Sequence, residues 1–278
     1  MRELDDDDTV PTGNHDILAE LSATIAGLPL TATDWGAATT PGLRRPLNED
    51  AWGGAGATFA VADGMGGRGG GAMAARLAIE RFLARLAGAD DHPDWRAIVH
   101  GVNGDVVTAG RDGGVDRVGT TLLAAIVADP VVTLVHLGDS RAYRLTPHAR
   151  APADAHRRLD LLTGDHTVRA ELLAAGLDVG EYRQRGVALH GLTSFIGLDH
   201  DALRIDVLAV PVRSGDRILL CTDGVHRQLQ DDQLRDALGA PRCQTAAERL
   251  VALADRAGGR DNATAVVVVV GIGSEERR

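Results

Sequence analysis

Two aspartate–glycine pairs end apolar segments, and each could bring a carboxylate to the edge of a sheet. Residues 59–67 read FAVADGMGG, so an apolar strand closes on Asp63 and a glycine turn leads towards a helix. Residues 217–224 read RILLCTDG, so a second buried strand closes on Asp223. Glycine lets the backbone approach closely, and the Gly64 carbonyl could join the Asp63 carboxylate as an oxygen ligand of a hard cation. The alternative is that both are ordinary turn or helix-capping aspartates.

Further acids stand in similar positions. Asp261 and Asn262 come directly before the apolar segment 263–270, and residues 45–50 read RPLNED. Taken singly, these are common turn and loop residues. Taken together, the acids form a set suited to an all-oxygen site for Mg²⁺ or Mn²⁺, with no His/Cys set that would indicate zinc. The set comprises Glu49, Asp50, Asp63, Asp223 and Asp261.

The same glycine turn also matches the G-x-G-x-x-G dinucleotide fingerprint, through Gly64, Gly66 and Gly69. In that reading Asp63 would place a negative charge at the mouth of a pyrophosphate site. The fingerprint also expects an acid at the end of a second strand ~20 residues on, where the predicted helix still continues at Glu80. The sequence therefore disfavours a dinucleotide site.

Composition narrows the class of protein. The net charge is −10 and the pI is about 5.4, which argues against nucleic-acid binding because that requires a dense cationic surface. Cys221 and Cys243 have no short-spaced partner, so neither a disulfide framework nor a cysteine zinc site is indicated. No signal peptide or apolar segment of ~20 residues is present. We expect a soluble, cytoplasmic protein that binds no membrane.

The pattern of elements predicts an α+β fold. Apolar or alternating segments predict strands, several of them so close in sequence that they must pair antiparallel, and helices come in groups between them. Residues 1–30 are predicted to be an acidic tail and 31–278 a single domain. The predicted strands are 31–39, 57–62, 120–128, 131–137, 141–145, 203–210, 216–221 and 263–272, and the predicted helices lie around 79–86, 95–106, 167–175, 231–238 and 244–257.

These motifs occur in an order that resembles the metal-dependent PPM (PP2C-type) protein phosphatases in their bacterial form. The resemblance covers about residues 31–272. It is carried by seven short segments: RPLNED at 45–50, DGMGG at 63–67, GTT at 119–121, GDSR at 138–141, LTGDH at 162–166, TDG at 222–224 and GGRDNAT at 258–264.

The resemblance implies a four-layer α-β-β-α sandwich of two antiparallel sheets flanked by helix pairs. It implies two Mn²⁺ or Mg²⁺ ions bridged by Asp63, with the Gly64 carbonyl and Glu49/Asp50 on one ion. Asp223 and Asp261 would serve the other ion, and Arg45 would bind the substrate phosphate. Asp139 could hold a weaker third ion, or could be a structural aspartate paired with Arg141.

The implied activity is hydrolysis of phosphoserine and phosphothreonine on proteins by a metal-activated water. The expected partners are phosphorylated proteins, including Ser/Thr kinases or their substrates, and the expected state is a monomer. Met65 stands where animal members carry a histidine proposed as general acid, and 167–191 corresponds to a flap around the substrate. The alternative on the same fold is a pseudophosphatase or regulatory module that binds phosphoproteins without hydrolysing them.

Overall fold

The computed structural model describes residues 30–66, 69–89, 93–115, 118–128, 130–147, 158–198 and 200–272. The predicted tail lies outside these residues except for Leu30, which begins the first strand. Gly67 of the glycine turn also lies outside them. The boundary predicted near residue 30 therefore stays a prediction.

Strands and helices alternate in groups along the chain. In order they are β1 (Leu30–Thr40), β2 (Asp50–Ala55), β3 (Thr58–Met65), α1 (Gly70–Ala87), α2 (Trp95–Asp112), β4 (Gly119–Thr120), β5 (Leu122–Ala128), β6 (Val131–Leu137), β7 (Arg141–Thr146), β8 (Arg158–Leu161), α3 (Val168–Ala174), α4 (Val179–Gln184), β9 (Asp206–Pro211), β10 (Arg217–Cys221), α5 (Asp223–His226), α6 (Asp231–Leu238), α7 (Cys243–Arg256) and β11 (Ala263–Ile272). A 3-10 turn at His200–Ala202 precedes β9.

The strands form two antiparallel sheets. The first has the order β1-β11-β10-β7-β8, and the second has the order β2-β3-β5-β6-β9. Strand β4 pairs with β3 in the register that β5 continues, since Gly64 lies opposite Thr120 and Val61 opposite Leu123. Thr121 therefore falls opposite Asp63. This register brings the Thr121 hydroxyl next to Asp63.

Three apolar layers hold the sheets and helices together. The two sheets face each other through residues such as Phe59, Leu220 and Val268. Helices α1 and α2 cover the outer face of the second sheet, with Phe82 fully buried. Helices α6 and α7 cover the outer face of the first sheet, with Leu250 fully buried. The predicted α+β, four-layer α-β-β-α sandwich is confirmed.

Strand β11 shows why the central strands read as continuous apolar runs. Val266, Val268 and Val270 face the second sheet, whereas Ala265 and Val267 face the helices. Both faces are buried, so the period-2 pattern of a half-exposed strand is lost.

The structure differs from the predicted elements at the sheet edges. Strands β2 and β8 were not predicted, because β2 reads DAWGGA and β8 is a four-residue edge strand. The strand predicted at 203–210 begins at Asp206 instead. Helices α4 and α5 were also missed, since α4 buries no residue and α5 is a single turn. None of the helices in the described residues combines the length and apolar character of a membrane span.

Candidate metal centre

A polar cavity of about 610 Å³ opens at one end of the sandwich. The acids that line it come from the start of β2, the end of β3, the loop after β6, the end of β10 and the turn before β11. In antiparallel sheets these strand ends meet at one edge. The cavity is lined by Arg45, Glu49, Asp63, Gly64, Met65, Gly66, Thr121, Asp139, His190, Gly191, Leu192, Asp223, Arg227, Asp261 and Asn262.

Hydrogen bonds between the Asp63 backbone and Thr121 fix the position of Asp63. The Asp63 amide donates to the Thr121 hydroxyl oxygen at 2.8 Å, and the Thr121 amide donates to the Asp63 carbonyl at 2.9 Å. The Thr121 hydroxyl also lies 2.9 Å from the Ser140 hydroxyl. These contacts leave the Asp63 carboxylate free to face the cavity.

The two predicted neighbours Glu49 and Asp50 have different surroundings. Glu49 lines the cavity, whereas Asp50 lies opposite Asp63 on β2 and does not line it. The Asp50 Oδ2 accepts hydrogen bonds from the hydroxyls of Thr222 at 2.8 Å and Thr264 at 2.7 Å. Asp50 therefore joins the second sheet to the first behind the cavity wall.

The hydroxyls around Asp50 belong to a longer chain of hydrogen bonds. The Asn48 amide donates to the Thr39 hydroxyl at 2.8 Å, and the Thr39 and Thr264 hydroxyls lie 2.7 Å apart. Because Thr264 donates to Asp50, it accepts from Thr39. Asp50 is thus the final acceptor of a chain that starts in the loop before β2.

Asn262 fixes the loop that carries Arg45 and Glu49. Its side-chain amide donates to the carbonyls of Pro41 at 2.9 Å and Leu47 at 2.8 Å. Its Oδ1 accepts from the Glu49 amide at 2.9 Å. The position of Glu49 therefore depends on a residue 213 positions away in sequence.

Arg45 reaches across the mouth of the cavity. Its Nη2 lies 2.8 Å from Asp261 Oδ2, and its side chain is 52% exposed. A planar guanidinium binds phosphate oxygens through paired donors. Because the Arg45 side chain is exposed, it can exchange Asp261 for another anion without a change in the core.

Asp223 and Asp139 are joined by a second arginine. Arg227 Nη1 lies 2.8 Å from Asp223 Oδ2, and its Nη2 lies 2.5 Å from Asp139 Oδ2. The predicted alternative, that Asp139 pairs with Arg141, is wrong. Arg141 instead binds Asp165 through two contacts of 2.8 Å, because those two side chains meet across β7 and the loop after β8.

Burial, together with the charges of neighbouring acids, raises the pKa values of the acids at the site. Burial, followed by the charges of Asp50, Asp223 and Asp139, raises the pKa of Asp63 well above its usual range. Burial also raises the pKa of Asp50 to about 7 and that of Asp139 to about 6, and raises the pKa of Asp223. Carboxylates gathered out of water in this way are stabilised by cations.

The chemistry of the lining fits hard divalent cations. Five carboxylates face two arginines across the cavity, and oxygen donors are the ligands that Mg²⁺ and Mn²⁺ prefer. A Cβ on Gly64 would overlap the Gly71 carbonyl oxygen, and one on Gly224 would overlap the Asn262 carbonyl oxygen. Both turns therefore require glycine to bring the acids together.

The structure gathers all but one of the predicted site residues around the cavity. Asp50 lies behind its wall, while the others line it: Arg45, Glu49, Asp63, Gly64, Asp139, Asp223 and Asp261. Sequence reasoning missed the positioning roles of Thr121, Asn262 and Thr264, although each lies inside a motif that was singled out. It also missed Arg227, for which the spacing of four from Asp223 was an available signal.

His166 contacts both the loop after β6 and the first residue of β9. Its Nδ1 accepts from the Gly138 amide at 3.3 Å, and its Nε2 lies 3.0 Å from Asp206. Gly138 adopts a left-handed φ of 106° directly before Asp139, and a side chain there would meet Thr121. His166 thus supports the loop that presents Asp139.

Comparison with known proteins places the chain in a family. The family model described as protein phosphatase 2C matches residues 44–257. The serine/threonine protein phosphatase PstP of Mycobacterium tuberculosis is 33% identical in an alignment of 240 residues that covers 82% of this chain and 43% of that protein. The serine/threonine phosphatase stp of Listeria monocytogenes is 30% identical in an alignment of 221 residues that covers 75% of this chain and 82% of that protein. The chain thus spans less than half the length of PstP.

Solved structures give the same result. The catalytic domain of PstP in complex with two manganese ions is 31% identical with a TM-score of 0.72, over 88% of this chain and 99% of that one. The phosphatase MsPP of Mycobacterium smegmatis in complex with cacodylate is 32% identical with a TM-score of 0.73, over 87% of this chain and 100% of that one. The chain therefore belongs to the protein phosphatase 2C family of metal-dependent Ser/Thr protein phosphatases.

Proposed function

We propose that this chain hydrolyses phosphoserine and phosphothreonine on proteins with two bound Mn²⁺ or Mg²⁺ ions. The observation that carries the proposal is the set of five carboxylates around one cavity, with Arg45 at its mouth. Family membership and the manganese complex of PstP support the same activity.

Two ions would be held by different residues of the cavity. Asp63 would contact both ions, the Gly64 carbonyl and Glu49 would serve one, and Asp223 and Asp261 would serve the other. Asp50 would not hold an ion itself, because its carboxylate accepts hydrogen bonds from Thr222 and Thr264 behind the cavity wall. Its negative charge would still act on Asp63. When bound, two divalent cations supply a water of lowered pKa as the nucleophile, so no protein nucleophile is needed.

Arg45 would hold the substrate phosphate. Arg45 would exchange the Asp261 carboxylate for phosphate oxygens, so its guanidinium is paired with an anion before and after substrate binds. Binding therefore removes little further water from the guanidinium. The planar fork offsets charge that moves among the phosphate oxygens during the reaction. Met65 also lines the cavity, and its thioether has no proton to give, so the leaving oxygen takes its proton from another donor.

Hydrolysis of a panel of phosphopeptides tests the proposal. Phosphate release is measured with Mn²⁺, with Mg²⁺ and after chelation, on matched phosphoserine, phosphothreonine and phosphotyrosine peptides. We expect release from the first two with either metal and loss of activity on chelation.

Asp63→Asn is the matched control for contaminating phosphatases, because it changes one charge and keeps the size of the side chain. Activity that survives chelation, or that is unchanged in Asp63→Asn, would contradict a two-metal mechanism. Tight phosphopeptide binding without phosphate release under any divalent cation would favour the pseudophosphatase alternative.

The proposal extends to partners and location. The substrates would be phosphorylated proteins, including Ser/Thr kinases or their targets, so the chain would take part in signalling. Action as a monomer, which the family resemblance implies, is part of the same proposal. Cys221 and Cys243 are both buried free thiols, which fits the reducing conditions of the cytoplasm.

A further inference from the structure

Arg227 occupies the space between two of the acids at the metal centre. Its guanidinium contacts Asp223 at 2.8 Å and Asp139 at 2.5 Å. Both acids are largely buried, with side-chain exposures of 13% and 6%. One planar cation thus pairs with two carboxylates that would otherwise face each other.

The backbone and the sequence spacing fix this position. Arg227 follows α5 directly, its amide donates to the Asp223 carbonyl at 2.9 Å, and the two side chains are four residues apart on one helical turn. Asp139 is held separately, because His226 Nε2 lies 2.9 Å from its carbonyl oxygen.

The contrast with Arg45 shows that this pairing differs from a surface ion pair. Arg45 contacts one acid that is itself 36% exposed, and its own side chain is 52% exposed. Arg227 contacts two acids that solvent hardly reaches. Removing a cation from buried carboxylates leaves them unpaired, which is strongly unfavourable.

We propose that the Arg227 guanidinium replaces a third metal ion at Asp139 and Asp223, so that this centre binds two divalent cations. The inference rests on the proposed two-metal function and concerns the position that Asp139 was expected to supply. The residues there do not fit an additional ion, because a dication would have to displace a guanidinium that already pairs with both carboxylates. Arg227 then holds Asp223 through its Oδ2.

Counting bound Mn²⁺ tests this inference without reference to turnover. Native mass spectrometry or equilibrium dialysis with Mn²⁺ is applied to the full chain and to Arg227→Met, which keeps the apolar stem and removes the charge. We expect two ions in the unmodified chain and three in Arg227→Met. Arg227→Lys, which keeps the charge, is the matched control and should bind two.

Asp139→Asn gives a second measurement that does not require the Arg227 variants to fold. If Asp139 carries no ion, this change leaves the Mn²⁺ count at two, and circular dichroism verifies the fold of each variant. Three ions in the unmodified chain, two in a folded Arg227→Met, or a lower count in Asp139→Asn would each overturn the inference. Failure of the proposed function would look different, with two ions bound and no phosphate released.

Discussion

The Asp63 side of the cavity and the Asp223 side are built from the same sequence element, an apolar strand that ends in Asp-Gly, yet their charges are balanced differently. Around Asp63, the groups that most affect its pKa after burial are all acids. Around Asp223, Arg227 opposes the effect of burial and lowers the pKa. The first side needs external cations, whereas the second carries part of its own positive charge.

The largest effect on metal binding and activity should come from replacing the aspartate of each side, Asp63 or Asp223, in turn. Asp63→Asn removes the acid proposed to contact both ions, so we expect loss of both Mn²⁺ ions and a fall in kcat on the order of 10³-fold. Asp223→Asn should lose one ion, because Asp63, Glu49 and the Gly64 carbonyl remain. Calorimetric titration with Mn²⁺ measures the number of ions that each variant binds. Loss of the same number of ions in both variants would contradict the proposed difference between the two sides.

A methyl group added to either glycine turn, after Asp63 or after Asp223, should have the same effect. This comparison tests the backbone of the two sides independently of their charge. Gly64→Ala and Gly224→Ala each place a Cβ against a backbone carbonyl oxygen. Since backbone cannot move aside easily, each should lower the free energy of unfolding by about 3 kcal/mol in urea denaturation.

Gly104→Ala is the control for these turn variants. Gly104 lies within α2 and has no atom within 4 Å of the added Cβ, so the change should stabilise the protein by about 0.5–1 kcal/mol. A mild effect at only one of the two turns would mean that the sides differ in backbone as well as in charge.

The smallest effect should come from the hydrogen bonds behind the Asp63 side. Thr222→Val removes a hydroxyl that donates to Asp50 and accepts from the Thr264 amide, at a cost of about 1.5 kcal/mol in unfolding free energy. Thr222→Ser keeps the hydroxyl and loses one methyl, so about 0.8 kcal/mol is expected. If Thr222 acted by packing alone, Thr222→Val would cost almost nothing, because valine keeps the side-chain volume, whereas Thr222→Ser would still cost about 0.8 kcal/mol.

The main acids of the site were predictable from sequence because their local context is informative. Asp63 and Asp223 follow apolar strands and precede glycine, and antiparallel pairing then brings strand ends together. Grouped helices and close-spaced strands predicted antiparallel sheets covered by helices, and the four-layer arrangement was implied by the family resemblance. The edge strand β2 was not predictable, because its glycines and its exposed residues give no clear alternation.

The roles of neighbouring residues required the tertiary structure. Glu49 and Asp50 are adjacent and chemically alike, and only the tertiary structure shows that Glu49 lines the cavity whereas Asp50 accepts from the hydroxyls of Thr222 and Thr264. Arg227 could be connected to Asp223 by helical spacing, but its contact with Asp139 spans 88 residues. Sequence patterns describe what is local, and these contacts are not.

The hydrogen bonds at Asp50 have a consequence for how the protein is made. Asp50 accepts from Thr264 across 214 residues, and the first described strand, β1, pairs with the last, β11. During synthesis the acids from β2 and β3 emerge long before Asp261 and Thr264, and domains complete their packing only when their distant segments meet. The metal centre is therefore among the last parts of this domain to form, and a nascent chain has no complete centre until β11 leaves the ribosome.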